Sequence, residues 1–194
     1  MDQSSRDVTY AAPAAERIGE LTRPAFDALY REYRRKVFAT VQHVLGPCDE
    51  IEDVVQNVFI EILRSLDRFQ GNSQLSTWIY RVSVNVALQH IRKRRRRRVF
   101  LFFSDEERQM ETRSYDTRAQ MEERQAVSKL YRVLDRLSDK KRAIFVLHEL
   151  EGLPVERIAE VCEIPQNTVR SRLLAARLEV TERMRKAGML EVEQ

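Results

Sequence analysis

The sequence contains few of the residues that interrupt helices. Among its 194 residues there are only five glycines and five prolines. Long stretches are rich in leucine, glutamate, arginine and alanine, which favour helices. A composition of this kind predicts an all-α fold. The length allows one or two small globular domains and excludes a large one.

Reactive and metal-binding residues are equally scarce. The two cysteines, Cys48 and Cys162, lie far apart and form no CxxC pair, so the sequence indicates neither a disulfide framework nor a zinc site. The three histidines are scattered. There is also no glycine-rich phosphate loop and no nucleophile with a neighbouring base. We therefore expect a protein without metal or cofactor that is not an enzyme.

Long apolar runs are absent as well. No run approaches the length of a membrane span, and the first residues lack the basic and then apolar order of a signal peptide. These absences predict a cytoplasmic protein that does not insert into membranes. The net charge is only +4, because 30 acidic residues offset most of the 34 basic ones. We therefore expect separate basic and acidic surfaces.

The most informative stretch is residues 76–98. Apolar residues recur there every three or four positions, as on one face of a helix. A second face carries Arg81, Asn85, Gln89 and Arg92, and a run of cations follows. Asparagine and glutamine can hydrogen-bond base edges while arginines neutralise phosphates, which indicates DNA binding. The alternative is that the arginine run is only a solvated patch.

Two helices are predicted before this stretch, after a flexible leader of residues 1–21. The first helix ends at Gly46, a residue that commonly terminates helices. The second is expected to start at Asp49, with Glu52 in a capping box, and to bury Leu63. Its outer face carries Asp53, Gln56, Asn57 and Glu61.

Two small helical domains joined by a charged, flexible linker are expected. In the second domain, apolar spacing predicts a helix with Val127 in its core. A further helix, capped by Ser138, is predicted from Asp139 to Glu151. The expected limits are 22–98 for the first domain, 99–120 for the linker, 121–186 for the second domain and 187–194 for a tail.

The end of the chain has the arrangement of a helix-turn-helix. A short helix opens at Pro154, a turn surrounds Glu163, and a longer basic helix opens at Pro165. Apolar residues such as Val169 and Leu173 are expected to face the core. The residues expected to face a DNA groove are Asn167, Thr168, Arg170, Ser171, Arg172, Leu174, Ala175 and Arg177.

Two parts of the chain resemble regions 2 and 4 of the extracytoplasmic-function (ECF) sigma factors, the specificity subunits of bacterial RNA polymerase. Residues 49–97 carry an acidic helix with DVVQ, a loop around Phe69, the sequence TWIYR, and Asn85 four residues before Gln89. Residues 134–184 resemble region 4 and contain TVRSR. The first similarity is long and ordered, which makes it specific.

The resemblance implies a role for each domain. The first would capture an extruded base of the minus-10 promoter element, and the second would read the minus-35 element as duplex, with Arg170 and Ser171 at contacting positions. Family members often carry arginine where this chain has Ala175, which leaves the minus-35 sequence open. The expected minus-10 residues are Phe69, Ser76, Trp78, Arg81, Asn85, Gln89 and Arg92. The residues expected to dock on core polymerase are Asp53, Gln56, Asn57 and Glu61.

The expected partners are core RNA polymerase, promoter DNA and an anti-sigma factor that holds the protein inactive. A second function class is an autonomous helix-turn-helix regulator that binds a palindrome as a dimer. Such a dimer predicts two half-sites about one helical turn apart. A sigma factor instead predicts promoter-specific initiation only with core polymerase.

Overall fold

The structure, a computed structural model, describes residues 23–66, 69, 73–101 and 118–189. Every regular element among these residues is helical, which confirms the all-α prediction. No described helix is long and apolar enough to cross a membrane. The helices are α1 (Arg23–Leu45), α2 (Ile51–Ser65), α3 (Leu75–Leu101), α4 (Arg118–Leu134), α5 (Asp139–Phe145), α6 (Val155–Cys162) and α7 (Gln166–Lys186), with a π-helical segment at Val146–Leu150.

Helices α1, α2 and α3 form a first bundle. Each contributes apolar side chains at helical spacing, so that one stripe of every helix is buried. As predicted, α1 stops before Gly46, which adopts φ +82, a left-handed conformation that glycine reaches without strain. The buried core includes Val37, Val41, Val44, Val54, Val58, Ile62, Ile79 and Ile91.

The predicted start of α2 is wrong. The helix begins at Ile51 rather than Asp49, and Glu50 at its N-cap position makes no side-chain capping bond. Glu52, the expected partner in the capping box, instead pairs with Arg34 of α1, with 3.4 Å between Nη2 and Oε1. The packing of α1 against α2 thus takes this carboxylate away from the helix terminus.

Helices α4 to α7 and the π-helical segment form a second bundle. The helix predicted from Asp139 to Glu151 is instead α5 followed by the π-helical segment. Ser138 occupies the N-cap position of α5 but makes no side-chain capping bond. The buried core includes Leu134, Leu137, Ile144, Leu147, Ile158, Val161, Val169, Leu173, Ala176 and Val180.

Two residues predicted to be buried are exposed. Leu63 is 43% exposed, because it lies about 100° around α2 from the buried Ile62 and beyond the edge of the packed stripe. Val127 is 38% exposed. It lies in a part of α4 where the described neighbouring residues are also exposed, and α4 begins to pack only at Leu130.

Helices extend into the predicted linker from both sides. α3 continues to Leu101 and α4 begins at Arg118, so both ends of the range 99–120 are helical. The expectations for the leader at residues 1–21, for residues 102–117 and for the tail from residue 190 lie outside the described residues.

The two bundles meet at the C-terminal end of α1. Arg142 of α5 is fully buried there. It donates to the Val44 carbonyl oxygen from Nε at 2.9 Å and from Nη2 at 2.7 Å, and Nη2 also lies 3.3 Å from the Leu45 carbonyl oxygen. Nη1 donates to Asp135 Oδ1 at 2.6 Å. A cation of the second bundle therefore caps a helix of the first.

Tyr131 of α4 completes this contact. Its hydroxyl donates to the His43 carbonyl oxygen at 3.1 Å, and its ring lies directly against Gly46. A side chain at position 46 would overlap that ring. Glycine is therefore required at this position both for its φ and for the close approach of the second bundle.

We expect Gly46→Ala to destabilise the protein more than Gly152→Ala. Both glycines have positive φ, +82 and +68, so each alanine should incur about 1–2 kcal/mol of left-handed strain. Only the Cβ at position 46 would also overlap Tyr131, because a Cβ at Gly152 meets nothing within 4 Å. Urea unfolding followed by circular dichroism measures the difference, and an equal destabilisation of both variants would refute the close approach.

Candidate nucleic-acid interface

The helical repeat divides the cationic end of α3 into two faces. Lys93, Arg96 and Arg97 are exposed, and none of them forms a salt bridge with a described residue. Their spacing of three and four positions places them on the same side of the helix. This side is a cluster of solvated cations that is accessible to a phosphate backbone.

The other face of the same end contacts the second bundle. Arg92 Nε lies 2.5 Å from Asp139 Oδ2, and Arg95 Nη1 lies 3.1 Å from Asp139 Oδ1. Arg95 Nη2 also donates to the carbonyl oxygens of Asp135 at 2.7 Å and Leu137 at 3.3 Å. These acceptors lie where α4 ends and α5 begins. Arg92, predicted to contact DNA, is thus bound to protein.

Arg81, near the start of α3, is also held by the second bundle. Its Nε donates to the Val161 carbonyl oxygen at 3.2 Å, and its Nη2 donates to the Glu160 carbonyl oxygen at 3.1 Å. Its Nη1 lies 2.5 Å from Glu163 Oε1. Glu163 belongs to the turn after α6, so the turn of the helix-turn-helix contacts a predicted minus-10 residue.

An aromatic pair lies beside the start of α3. The ring centroids of Phe69 and Trp78 are 5.3 Å apart at 45°, and both side chains are half-buried. Ser76 lies in the same first turn, and its Oγ accepts a hydrogen bond from Arg157 Nη2 at 2.9 Å. Exposed aromatic faces can stack on unpaired bases. The rest of the predicted base pocket, at residues 67–68 and 70–72, lies outside the described residues.

Asn85 and Gln89 are both exposed, as the sequence predicts. Asn85 lines a cleft of about 280 Å³ between α3 and the second bundle. The cleft is also lined by Arg92 and Arg172, which come from the predicted minus-10 and minus-35 sets. The structure therefore brings parts of the two predicted DNA-binding surfaces to opposite walls of one cleft.

Cys162 also lines this cleft, and the pKa of its thiol depends on the charges around it. Burial raises the pKa of the Cys162 thiol, while the charges of Arg172 and Arg81 act in the opposite direction. Cations from both bundles therefore act on the same thiol, although Asp139 and Glu163 also line the cleft. Both cysteines are free thiols. Within the described ranges, no group of three or more metal-ligating side chains could hold an ion.

The second bundle contains the predicted helix-turn-helix. α6 and α7 begin after the N-cap residues Pro154 and Pro165. Glu163 takes the left-handed conformation, with φ 53, and so turns the chain between the two helices. Four apolar residues anchor α7 on the core, as predicted: Val169, Leu173, Ala176 and Val180.

The eight residues predicted to face DNA lie away from this core. Thr168, Arg172 and Ala175 are half-buried, and the other five are exposed. Arg170 is held at the start of the helix, where its Nη1 donates to Asn167 Oδ1 and its Nη2 to Gln166 Oε1, each at 3.2 Å. The other exposed members are Asn167, Ser171, Leu174 and Arg177.

This outer face of α7 is more apolar than its sequence indicates. Leu174 and Leu178 are 60% and 64% exposed and lie one turn apart. Leu178 is not among the residues predicted to face DNA, although its spacing of four from Leu174 indicates that it lies on the same face. Arg177, beside them, is bound by Glu149, with 2.7 Å between Nε and Oε1.

The polar face of α2 is exposed, as expected. All four residues predicted to dock on polymerase, Asp53, Gln56, Asn57 and Glu61, are exposed. Ile60 and Leu63 lie on the exposed side of the same helix at 44% and 43% exposure. Ile60 is not among the predicted surface residues, and Leu63 is predicted to lie in the core. Apolar side chains beside acids and amides make a surface suited to protein contact.

Both bundles match known family models. Residues 29–97 match the model described as Sigma-70 region 2. Residues 128–180 match the model described as Sigma-70, region 4. The first match covers most of α1 to α3, and the second contains α6 and most of α7. The order of the two matches is the order of the two bundles in the chain.

Relatives of similar length also match. The chain is 31% identical over 170 residues to the RNA polymerase sigma-H factor of Pseudomonas aeruginosa. It is 32% identical over 175 residues to the ECF RNA polymerase sigma-E factor of Escherichia coli. Each alignment covers 84% of this chain and 87% of the relative. The fold is similar to that of the sigma factor RpoE from Bartonella quintana, which was solved in complex with the anti-sigma factor NepR. The TM-score is 0.57 and the sequence identity is 21%. The alignment covers 82% of this chain and 96% of that chain.

We expect the exposed cations at the end of α3 to bind nucleic acid through its phosphates. Replacing Lys93, Arg96 and Arg97 together by glutamine should flatten the plot of log affinity against log salt concentration, by about 0.7–0.9 for each phosphate that is no longer neutralised. Arg35→Gln, at an exposed position of α1, is the control. Fluorescence anisotropy with labelled DNA measures the slope. An unchanged slope in the triple variant would contradict the assignment.

Proposed function

The chain belongs to the ECF sigma factors of the sigma-70 family, which act in transcription initiation, and we propose that its two bundles bind a promoter at two separate elements. The limits proposed for these units are residues 22–98 and 121–186, with a linker at 99–120. The observation that carries the proposal is a helix, α3, that combines exposed amides with exposed cations beside an aromatic pair.

The first unit is proposed to hold the opened minus-10 element. Phe69 and Trp78 supply aromatic surface for an unstacked base, and Asn85 and Gln89 supply donors and acceptors for base edges. Extruding a base costs a few kcal/mol, which these contacts and polymerase binding must offset. Ser76, Arg81 and Arg92 complete the proposed site. Further along α3, the exposed cations would follow the phosphate backbone.

The second unit is proposed to read the minus-35 element as duplex DNA. In a helix-turn-helix, the N-terminal residues of the second helix contact base edges in the major groove. Arg170 is the strongest candidate, because two side chains at the start of α7 already orient its guanidinium. Ala175 offers only a methyl group at a position where members of the family often carry arginine. We therefore propose that this chain recognises a minus-35 sequence different from the one that most members of the family recognise.

The outer face of α2 is proposed to dock on core RNA polymerase. Asp53 and Glu61 are exposed carboxylates that can pair with basic side chains of a partner helix. Ile60 and Leu63 add apolar area between and beside them. The combination of a small apolar centre with a charged rim is common in protein interfaces. We assign this face to the polymerase rather than to DNA because it carries acids.

We propose that the protein acts by binding alone, without catalysing a reaction, and that it works in the cytoplasm, where promoter DNA is found. An anti-sigma factor is proposed as its inhibitor, in keeping with the family. Leu174 and Leu178 of α7 and the apolar residues of α2 are exposed surfaces that such a protein would cover. The alternative of an autonomous dimeric regulator is not favoured, because two sigma models together account for both bundles.

The deciding experiment is run-off transcription with purified core polymerase on a library of promoter fragments. We expect specific transcripts only when the protein is added. Absence of any transcript across the library would refute the proposed function.

Two alanine variants should separate the two proposed DNA contacts. Asn85→Ala should reduce promoter opening about tenfold, the effect expected when one base contact is removed, and should leave binding to an upstream duplex unchanged. Arg170→Ala should weaken binding to the upstream duplex and leave promoter opening unchanged. Permanganate reactivity of unpaired thymines measures opening, and gel shift measures duplex binding. Each variant controls for the other, and equal effects in both assays would contradict the assignment.

Reversing a charge on α2 should weaken polymerase binding. We expect Asp53→Lys to lower the affinity for core polymerase several-fold, because it places a cation against a basic partner surface. Asp27→Lys makes the same charge change at an exposed position of α1 and should have little effect. Titration with fluorescently labelled protein gives both affinities. Equal affinities for the two variants would remove α2 from the interface.

A further inference from the structure

The outer face of α7 contains an apolar stretch within the set of residues proposed to read the minus-35 element. From Leu173 to Ala176 the sequence LLAA has no side chain that can donate or accept a hydrogen bond. Leu173 and Ala176 are buried in the core, whereas Leu174 is 60% exposed. Ala175 is half-buried. A base pair that faces this part of the helix therefore meets a leucine side chain and a methyl group.

The polar side chains around Leu174 are already bonded to protein. Residues three and four positions apart are neighbours on a helix surface. For Leu174 these neighbours are Arg170, Ser171, Arg177 and Leu178. The Ser171 hydroxyl donates to the Thr168 carbonyl oxygen at 3.1 Å, and Arg177 Nε donates to Glu149 Oε1 at 2.7 Å. Donors on both sides of Leu174 are therefore engaged by protein acceptors, and the apolar side chain lies between them.

The position of Leu174 along the helix distinguishes it from Leu178. At a rise of 1.5 Å per residue, Leu174 lies about 12 Å along the axis from Gln166, the first residue of α7. The major groove is about 12 Å wide, and the N-terminal part of the second helix contacts the base edges. Leu174 is therefore at the far limit of the stretch that can face bases. Leu178, about 18 Å from Gln166, lies beyond this limit.

A leucine side chain over base edges discriminates between the four bases. The 5-methyl group of thymine is the apolar group that a base pair presents in the major groove. Cytosine, adenine and guanine present hydrogen-bond donors or acceptors there. A leucine pressed against those groups excludes water and supplies no hydrogen bond, and a buried polar group without a partner is costly. Leu174 therefore favours thymine over the other three bases.

We propose that Leu174 contacts the 5-methyl group of a thymine in the minus-35 duplex, so that a T·A pair is part of the sequence this chain recognises. This inference rests on the proposed function, which puts the outer face of α7 in the major groove. In zinc-finger helices, residues three positions apart contact successive bases. The thymine is therefore expected beside the base pair read by Arg170, on either strand. Ala175 is compatible with this contact, because it adds no donor next to the methyl group.

The charge of the helix favours DNA over a protein as the occupant of this surface. Single exposed apolar residues are common on protein surfaces, and exposed apolar patches also mark protein interfaces. However, α7 has six basic and two acidic residues, a net charge of +4. Leu174 lies between two of the cations, Arg170 and Arg177. An apolar contact flanked by cations is complementary to a base methyl group flanked by phosphates.

The test uses deoxyuridine, which differs from thymidine only in lacking the 5-methyl group. The full-length protein with core polymerase first selects duplexes from a pool that is randomised across the upstream element. Each thymine of the selected duplex is then replaced singly by deoxyuridine, and fluorescence anisotropy gives the affinity. We expect one replacement to weaken binding about fourfold, the effect of losing one buried methyl-sized group. The other replacements should have little effect.

Variants of α7 connect this effect to one side chain. Leu174→Ala should weaken binding to the thymine duplex and should remove the sensitivity to deoxyuridine, because losses from two groups in contact are not additive. Leu174→Met keeps an apolar side chain of similar volume and should retain the sensitivity. Leu178→Ala makes the same change one turn further along and serves as the matched control, with full sensitivity. Both leucines are exposed, so circular dichroism should show an unaltered fold in every variant.

Three outcomes would overturn the inference and leave the proposed function intact. The first is a selected duplex in which no deoxyuridine replacement weakens binding. The second is a Leu174→Ala variant with wild-type sensitivity to deoxyuridine. The third is a Leu174→Ala variant that loses only affinity for core polymerase or self-association, which would make this surface a protein interface. Failure to select any duplex would instead overturn the proposed reading of the minus-35 element, and this inference with it.

Discussion

The arrangement of the two bundles depends on the burial of one guanidinium at the end of a helix. Arg142 is fully buried, and burial lowers its pKa, while the hydrogen bond and charge of Asp135 act in the opposite direction. A buried cation is tolerated only when its donors are satisfied. The unpaired carbonyls of Val44 and Leu45 supply acceptors that the second bundle alone lacks. The second bundle is therefore positioned by the place where α1 stops, and Gly46 determines that place.

The same logic explains how one run of cations serves two purposes. Seven consecutive basic residues cannot all face one surface, because successive residues on a helix point about 100° apart. Arg92 and Arg95 turn toward acceptors at the junction of α4 and α5, whereas Lys93, Arg96 and Arg97 remain in solvent. A basic run on a helix thus provides a solvated cationic surface and an internal contact at once. A disordered run could not make this separation.

The sequence was sufficient for features that depend on spacing and turn chemistry. The helical stripes of α1 and α7, the end of α1 at Gly46 and the turn at Glu163 all follow from local rules, and the structure confirms them. Predictions failed where a distant part of the chain decided the outcome. Glu52 pairs with Arg34 of α1 instead of capping α2. Leu63 is exposed because it lies outside the stripe of α2 that packs against α1 and α3. Nothing local distinguishes Arg142 from an exposed arginine, because the backbone carbonyls that accept its hydrogen bonds, those of Val44 and Leu45, are almost a hundred residues away in the sequence.

Competition between protein and DNA acceptors has a consequence for how the chain can be regulated. Carbonyl oxygens and carboxylates hold Arg81 and Arg92 with the same kind of charge-assisted bond that phosphates form. If DNA binds Arg81 and Arg92, as proposed, it must release contacts between the bundles, and separating the bundles frees the same two residues. By thermodynamic linkage, each event must favour the other to the same extent. A partner that stabilised the contacts between the bundles would therefore weaken the proposed DNA contacts of Arg81 and Arg92 without touching either side chain.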